Sequence, residues 1–222
     1  MVRDGKKHKP NIELIMYALV KNGNIVKYFS YPKGFEHNGN LYSADIFTKW
    51  SKAEKDAIGL HEVVTDSTNY KDTKYYINTN EQYTFASGVV TRSWGIATAK
   101  QIADSLWTQE DSDNGDLPSD KSVGDVKVEG LKTKKKRIVK QQASGLLEKT
   151  DWHNHKALDD ETYTIPTNIK TYRANVRAKS NEMETAIDNA ADVDALKALY
   201  EYTEQDDGTF ARPLGEFPQE VV

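Results

Sequence analysis

The chain has 222 residues, of which 30 are lysine or arginine and 34 are aspartate or glutamate, so its formal net charge is -4. It contains no cysteine, which excludes disulfide scaffolds, thiolate nucleophiles and cysteine-ligated zinc sites. No apolar run approaches the roughly 20 residues that span a bilayer, so we expect no membrane partner.

The first part of the chain predicts a small mixed α/β domain behind a polar arm. Residues 1–10 are polar and basic and indicate a flexible arm, and the domain is predicted to cover 11–107. The Asn-Gly pair at 22–23 separates two β-prone runs, which is the pattern of a hairpin closed by a type I′ turn. Ser51 stands three residues before Glu54, the spacing of a capping box, so a short helix should begin there.

The end of this domain and the segment after it carry weaker signals. Residues 97–107 place apolar side chains at helical spacing and predict a second helix of the domain. Residues 108–130 are rich in acids and predict an acidic linker that divides the chain. Within the linker, 111–116 resembles the start of a calcium-binding loop. When Gly115 is placed at the sixth position of that loop, the twelfth position is Lys121 instead of glutamate, so we reject a calcium site.

Beyond the linker the pattern becomes helical. We predict a helical module over 131–205 and an irregular tail over 206–222. The first helix should start at Leu131, and Pro166 suits the first turn of a second helix that forms a helical hairpin with it. A third helix is predicted over about 193–202. The buried face of the second helix should consist of Ile169, Tyr172, Val176 and Met183, with Ile187 one turn beyond. The predicted fold class is therefore α+β, a small mixed α/β N-terminal domain plus an α-helical C-terminal module.

The sequence shows no constellation that predicts catalysis. His153 and His155 are close neighbours, but no third metal ligand follows at a suitable spacing. The motifs of serine hydrolases, of nucleotide-binding phosphate loops and of dinucleotide-binding domains are missing from the sequence. We therefore predict no enzyme, no cofactor and no metal. A cleft that gathers two carboxylates, or a histidine and an acid, would reopen a hydrolase interpretation.

Part of the helical module resembles a region shared by many proteins of tailed bacteriophages. In that family a helix ends in Leu-Leu-x-x-Thr-Asp-Trp, found here at 146–152, and a second helix carries Tyr-Arg-x-x-x-Arg, found here at 172–177. Near the end of the chain, Phe217 stands where the family has tryptophan. The segments at 17–23 and 42–51 are similar to the small domain that often precedes this region in phage proteins.

The resemblance implies a function in phage assembly or structure. Members of the family are tail-fibre assembly proteins, tail assembly chaperones or virion structural proteins. The resemblance thus implies a non-enzymatic structural or attachment protein of the tail or tail fibre, located in the virion and, during assembly, in the host cytoplasm. It would dock onto other phage tail or fibre proteins in several copies or as an oligomer. A tail-fibre assembly chaperone that leaves the particle is the alternative.

The helix end at 146–152 also has a physical explanation of its own. Asp151 is expected to cap the next helical turn, while Trp152 folds back on the apolar side chains of Leu146 and Leu147. This arrangement predicts that Trp152→Ala loosens the helical module by several kcal/mol.

The Tyr-Arg-x-x-x-Arg string places two pairs of side chains one helical turn apart. Tyr172 should pack on Val176, whereas Arg173 and Arg177 share another side. There they can meet Asp151, Asp159 or a carboxylate of a partner. A helical-hairpin core and a binding surface both explain these residues, and both interpretations stay open at this point.

The basic cluster at 132–140 suggests a different class of function, nucleic-acid binding. The acidic charge of the whole chain and the lack of interleaved aromatic side chains disfavour it. Across the module, the candidate protein-interaction residues are Trp152, Asp151, Tyr172, Arg173, Arg177, Lys135, Lys136 and Arg137.

Overall fold

A computed structural model describes residues 16–221 of the chain. The predicted arm at 1–10 and the beginning of the first β-prone run at 11–15 lie outside the described residues. The described part contains both helices and strands, so the mixed α+β composition is confirmed. Within residues 16–221, no helix is both long and apolar enough to cross a membrane.

The chain divides into two compact units. One unit comprises the chain up to Thr73 and Ile77–Thr98, and the other comprises Lys74–Tyr76 and the chain from Ala99 onward. The division therefore falls before the acidic segment at 108–130 and not within it.

The first unit is built from short strands and two short helices. Its elements are β1 (Tyr17–Lys21), β2 (Asn24–Phe29), β3 (Phe35–His37), β4 (Asn40–Tyr42), α1 (Ile46–Lys49), α2 (Lys52–Ala57), β5 (Leu60–Thr65), β6 (Tyr76–Ile77), β7 (Gln82–Ala86), β8 (Val89–Ser93) and β9 (Thr98–Ala99). The two-residue strands β6 and β9 lie where the chain passes from one unit to the other.

Five of these strands form a mixed sheet of order β2-β1-β5-β8-β7. The β5–β8 pair is parallel and the other three pairs are antiparallel. The predicted hairpin is confirmed as β1 and β2, because Asn22 and Gly23 adopt φ of 52° and 78°, the left-handed values of a type I′ turn. The predicted capping box is confirmed at the start of α2, where Ser51 and Glu54 exchange their hydrogen bonds.

The sheet curls until its two edge strands approach each other. The rings of Tyr28 on β2 and Tyr83 on β7 lie 4.7 Å apart. On one face, Phe29, Leu60 and Phe47 belong to a buried cluster that joins the sheet to α1. The other face has a smaller apolar cluster of its own, built on Ala18, Val20 and Val90.

The second unit is mainly helical and carries two small sheets. Its elements are β10 (Ser105–Leu106), α3 (Gln109–Asp113), β11 (Val126–Val128), α4 (Leu131–Glu148), α5 (Asp151–Asp159), α6 (Thr167–Asn189), α7 (Val193–Ala198), β12 (Thr203–Glu204) and β13 (Phe210–Ala211).

The predicted helix over 97–107 is wrong. This segment contains only the short strands β9 and β10, and its backbone carbonyl groups bind the start of α4. The amide groups of Leu131 and Lys132 donate to the carbonyl oxygens of Gln101 and Ile102, both over 3.0 Å. These long-range hydrogen bonds use carbonyl groups that a helix would have needed for itself.

The acidic segment at 108–130 is folded, in contrast to the predicted linker. A capping box between Thr108 and Asp111 starts α3, and β11 pairs with β10. Lys127 on β11 donates to the Asp111 carboxylate over 2.6 Å and thus ties the strand to the helix. The acidic side chains that suggested a linker therefore serve in part as caps and ion-pair partners.

Asp111 should titrate well below an ordinary aspartate. The hydrogen bond from Lys127, and then those from Thr108, lower the pKa of Asp111 from 3.8 to about 2. Because this pKa is lower in the folded chain, the contact stabilises the fold above about pH 4, and the contribution is lost as the pH falls toward 2. NMR titration of the Asp111 carboxyl carbon should give a midpoint near pH 2, and Lys127→Gln should move it upward. A midpoint at the ordinary value in the unmodified chain would contradict this contact.

Helices α4 and α6 pack against each other in antiparallel orientation, with α5 between them in the chain. Lys136, early in α4, contacts Asp188 at the end of α6, whereas Leu147, late in α4, contacts Arg173 near the start of α6. The face predicted for the second helix is confirmed as buried and consists of Ile169, Tyr172, Val176, Met183 and Ile187.

The last part of the chain contains a shorter helix than predicted, and its tail is packed more closely than predicted. The third predicted helix, over 193–202, ends at Ala198 as α7. In the tail at 206–222, which the sequence predicts to be irregular, β13 pairs with β12, and Leu214 is buried. Val222 lies outside the described residues.

Candidate functional site

Arg173 on α6 binds the end of α4 and the start of α5. Its side chain is buried, and Nη1 donates to the Leu147 carbonyl oxygen over 2.8 Å and to the Thr150 hydroxyl oxygen over 2.7 Å. Nη2 donates to the Asp151 carboxylate over 2.7 Å. The Leu147 carbonyl lies in the last turn of α4, where carbonyl groups lack partners within the helix. Arg173 therefore has a structural function at the end of one helix and the start of the next.

Asp151 has a different function from the one predicted. The cap residue of α5 is Thr150, and Asp151 lies in the first turn, where a negative charge is favourable beside the helix N-terminus. Its carboxylate binds Arg173. The prediction that Asp151 caps the helix is wrong, while the predicted meeting of Arg173 with Asp151 is observed.

Tyr172 is a core residue. It is buried with Ala143 and Val176, so the predicted packing on Val176 is observed, and Phe217 and Val221 of the tail cover the same cluster. Its buried hydroxyl has no hydrogen-bond partner among residues 16–221. Burial raises the pKa of the Tyr172 hydroxyl. Tyr172 therefore supports the packing of the module and is not presented to a partner.

Trp152 is exposed, in contrast to the prediction that it folds back on the end of α4. Of its surface, 54% is accessible, and its indole stacks on the imidazole of His153 with ring centroids 3.7 Å apart. His153 is buried and fixed by a hydrogen bond between Nδ1 and the Tyr163 hydroxyl. The indole is thus held by a buried neighbour while a large part of it faces solvent.

The tail explains why Trp152 does not cover the end of α4. The apolar side chains at 146–147 pack instead on the buried cluster of Ala143, Tyr172 and Val176, on which Phe217 and Val221 of the tail also pack. This cluster takes the place that the sequence pattern assigned to the indole. Trp152→Ala therefore removes no large buried side chain, and the predicted loss of several kcal/mol no longer has a physical basis.

Lys135 is directed toward aromatic rings. Its ammonium group lies 4.8 Å from the centre of the Tyr75 ring and 4.3 Å from that of Tyr200. These cation–π distances are short enough to stabilise the packing of α4. Burial also raises the pKa of Tyr200 to about 12. Lys135 is therefore engaged within the module.

Lys136 and Arg137 each have an acidic partner within the chain. Lys136 pairs with Asp188 over 2.8 Å. Arg137 Nη1 donates to both carboxylate oxygens of Glu129, over 2.8 and 2.7 Å. The charge of the basic cluster is thus partly neutralised within the chain.

A furrow runs along α4 and α6 and brings together five of the eight predicted interaction residues. It consists of two hollows of about 460 Å³ each, which share Lys140 and Ser144; we call it the α4–α6 furrow. One acidic side chain, Asp151, lines it. The basic side chains that line it are Lys136, Arg137, Lys140, Arg173 and Arg177.

Arg177 differs from the other basic residues of the furrow. Lys140 pairs with Glu184 over 3.2 Å, and Arg173 pairs with Asp151. Arg177 is exposed and has no ion pair or side-chain hydrogen bond with any other residue in the described part of the chain. It therefore supplies the furrow with a cationic group whose hydrogen-bonding capacity is available to a partner.

Sequence reasoning missed five uncharged polar residues of the furrow. The residues that line it together with the basic side chains are Thr133, Gln141, Ser144, Ser180 and Asn181. Ser180 and Asn181 follow Arg177 by three and four residues on α6, so the three side chains are neighbours on one helix face. The sequence would have indicated this polar stripe once the two helices were known to be antiparallel.

Within residues 16–221 there is no group of three or more histidine, aspartate or glutamate side chains that could hold a metal ion.

Comparisons with known proteins found no match to this chain among protein-family models, curated proteins or solved structures. The phage resemblance at 146–152 and 172–177 therefore stands on the residues of this sequence alone.

Proposed function

We propose that this protein is a non-enzymatic structural or attachment component of a bacteriophage tail or tail fibre and that it acts by docking onto other proteins of the particle. The residues shared with tailed-phage proteins at 146–152 and 172–177 supply the biological setting. In this proposal the two units correspond to the small α/β domain and the helical-hairpin module of that family. The protein acts in the virion and, before that, in the host cytoplasm, in several copies.

The observation that carries this proposal is the exposed Trp152. Tryptophan, tyrosine and arginine are the residues that most often dominate the binding energy of protein interfaces. The indole is stacked on His153, and His153 is fixed by Tyr163. A side chain that is already ordered loses little conformational entropy when a partner covers it. Asp151, next to it in the chain, lines the α4–α6 furrow.

Trp152→Ala should separate docking from folding. Because Trp152 is exposed, we expect the melting temperature to stay within about 3 °C of the unmodified chain. The amount of protein recovered in purified phage particles, measured by immunoblot, should fall strongly. Leu158→Ala is the matched control, since Leu158 lies on the same helix and is 80% exposed. Equal recovery of the Trp152 and Leu158 variants would contradict a docking function of Trp152.

Mass spectrometry of finished particles and of assembly intermediates tests the broader proposal. Presence in finished particles agrees with a structural component. Presence only in intermediates would favour the tail-fibre assembly chaperone. Absence from both would contradict a function in the phage particle and its assembly.

Nucleic-acid binding through the helix at 132–140 is less well supported than docking. Lys136 and Arg137 are paired with acids, and Lys135 is packed on aromatic rings. Each paired cation would have to exchange an internal carboxylate for a phosphate, which reduces the gain from phosphate binding.

A further inference from the structure

We infer that the α4–α6 furrow binds an acidic segment of a partner protein and that Arg177 pairs with a carboxylate of that segment. This inference rests on the proposed docking function and names the chemistry of the partner.

Charge complementarity is the first argument. The furrow is lined by five basic side chains and a single acidic one, Asp151. Four of the basic side chains have an acidic partner within the chain, so the positive charge that remains for a partner protein is that of Arg177. Asp151 is already engaged by Arg173. Arg177 stands one helical turn beyond Arg173 on α6 and has no such partner among the described residues. An arginine guanidinium binds a carboxylate through two parallel hydrogen bonds, so a glutamate or aspartate side chain matches this position in both charge and geometry.

The neutral residues of the furrow also suit a peptide. Ser144, Ser180 and Asn181 offer hydroxyl and amide groups that can hydrogen-bond to a peptide backbone. Ala143 and Leu147 supply apolar surface at the base of the same hollow. Each hollow measures about 460 Å³, within the range of about 300 to 1,000 Å³ that is usual for sites that hold small ligands or side chains.

The distribution of acids favours a peptide over a nucleic acid. Glu129, Asp188 and Glu184 are the partners of three of the basic lining residues and lie close to the furrow. A nucleic acid carries a negative charge on every nucleotide and would meet these carboxylates along its length. A peptide can place one carboxylate on Arg177 and present neutral or basic groups to the surrounding acids.

The test uses the full chain and short fluorescent peptides. The probe is a peptide of alternating glutamate and serine, compared with a glutamine–serine peptide of equal length and with oligothymidylate, by fluorescence anisotropy at low salt. The glutamate–serine peptide should bind, and the glutamine–serine peptide and oligothymidylate should bind more weakly. Arg177→Gln should weaken binding of the acidic peptide by about tenfold, as the loss of one hydrogen-bonded charge pair does at interfaces.

Lys134→Gln is the matched control. It removes the same charge from an exposed position of α4 that does not line the furrow, and it should change affinity by less than about twofold. Arg177→Lys keeps the charge but cannot form the two parallel hydrogen bonds, so it should weaken binding less than Arg177→Gln does. Thermal melts of each variant show whether the fold is intact; Arg177 is exposed, and we expect no change.

Three results would overturn the inference. They are lack of binding of the acidic peptide to the unmodified chain at low salt, equal losses for the Arg177 and Lys134 variants, and tighter binding of oligothymidylate than of the acidic peptide. If the chain is present in phage particles but does not bind the peptide, this inference alone is refuted. A chain that binds the peptide but is absent from particles and from assembly intermediates would refute the proposed function alone.

Discussion

Arg173→Ala should lower the free energy of unfolding of the second unit by about 3 kcal/mol, the lower end of the range for breaking a buried ion pair. The lower end applies because Asp151 is partly exposed while Arg173 is not. The substitution also removes the hydrogen bonds from Nη1 to the Thr150 hydroxyl and the Leu147 carbonyl, and each hydrogen bond to a charged group adds to the loss. The Leu147 carbonyl keeps the hydrogen bonds from the amide and the hydroxyl of Thr150, which limits the loss at this acceptor. Urea denaturation followed by circular dichroism measures the loss.

Arg177→Ala is the control for this experiment. It removes the same side chain one helical turn later on α6, where the guanidinium is exposed, and should change stability by no more than about 0.5 kcal/mol. Arg173→Lys should recover only part of the loss, because an ammonium group cannot reproduce the planar set of donors that reaches three acceptors. Similar losses for Arg173→Ala and Arg177→Ala would contradict the function assigned to Arg173 at the helix junction.

Gly130→Ala should destabilise the second unit by about 3 kcal/mol, a severe case of overpacking. A Cβ atom at this position would lie 2.3 Å from the carbonyl carbon and oxygen of Ala103 and 2.5 Å from the carbonyl oxygen of Ile102. The backbone cannot move away freely, because the amide groups of 131–132 donate to the carbonyl oxygens of 101–102. The close approach of these two backbone segments therefore requires glycine.

Gly145→Ala makes the same chemical change in the last turn of α4 with the opposite expected sign. A Cβ atom at Gly145 would have no atom within 4 Å, so the substitution removes only the low helix propensity of glycine. We expect a gain of up to about 1 kcal/mol. Urea denaturation of both variants gives the comparison. A neutral effect of Gly130→Ala would show that the start of α4 does not pack closely on the backbone of 101–103.

Short-range chemistry made several elements predictable from the sequence. The Asn-Gly pair at 22–23 specifies its turn because these residues tolerate positive φ, and the Ser51–Glu54 spacing specifies a helix start through two reciprocal hydrogen bonds. The buried face of α6 was also predictable, because 23 residues of helix repeat the apolar pattern over several turns.

Elements that depend on distant parts of the chain were not predictable in this way. The segment at 97–107 has helical spacing, but its carbonyl groups bind the start of α4, about 30 residues later. The acids at 108–130 form caps and ion pairs with partners that composition does not identify. A short apolar pattern cannot reveal such partners.

The candidate site shows the same limit. The sequence indicated Asp151, Arg173 and Arg177 as neighbours, and the structure brings all three to the furrow. It could not indicate that Trp152 is exposed, because Phe217 and Val221 of the tail, about 65 residues later, pack at the end of α4 instead. The residues next to Trp152 in the sequence do not indicate which distant side chains pack at the end of α4.

The packing of the tail on the helical module has a practical consequence for work on this protein. Leu214 is buried, Phe217 and Val221 pack on the same apolar cluster as the side chains at 146–147, and Lys149 pairs with Glu220. Removing the residues from Leu214 onward would expose this apolar surface and promote aggregation during purification.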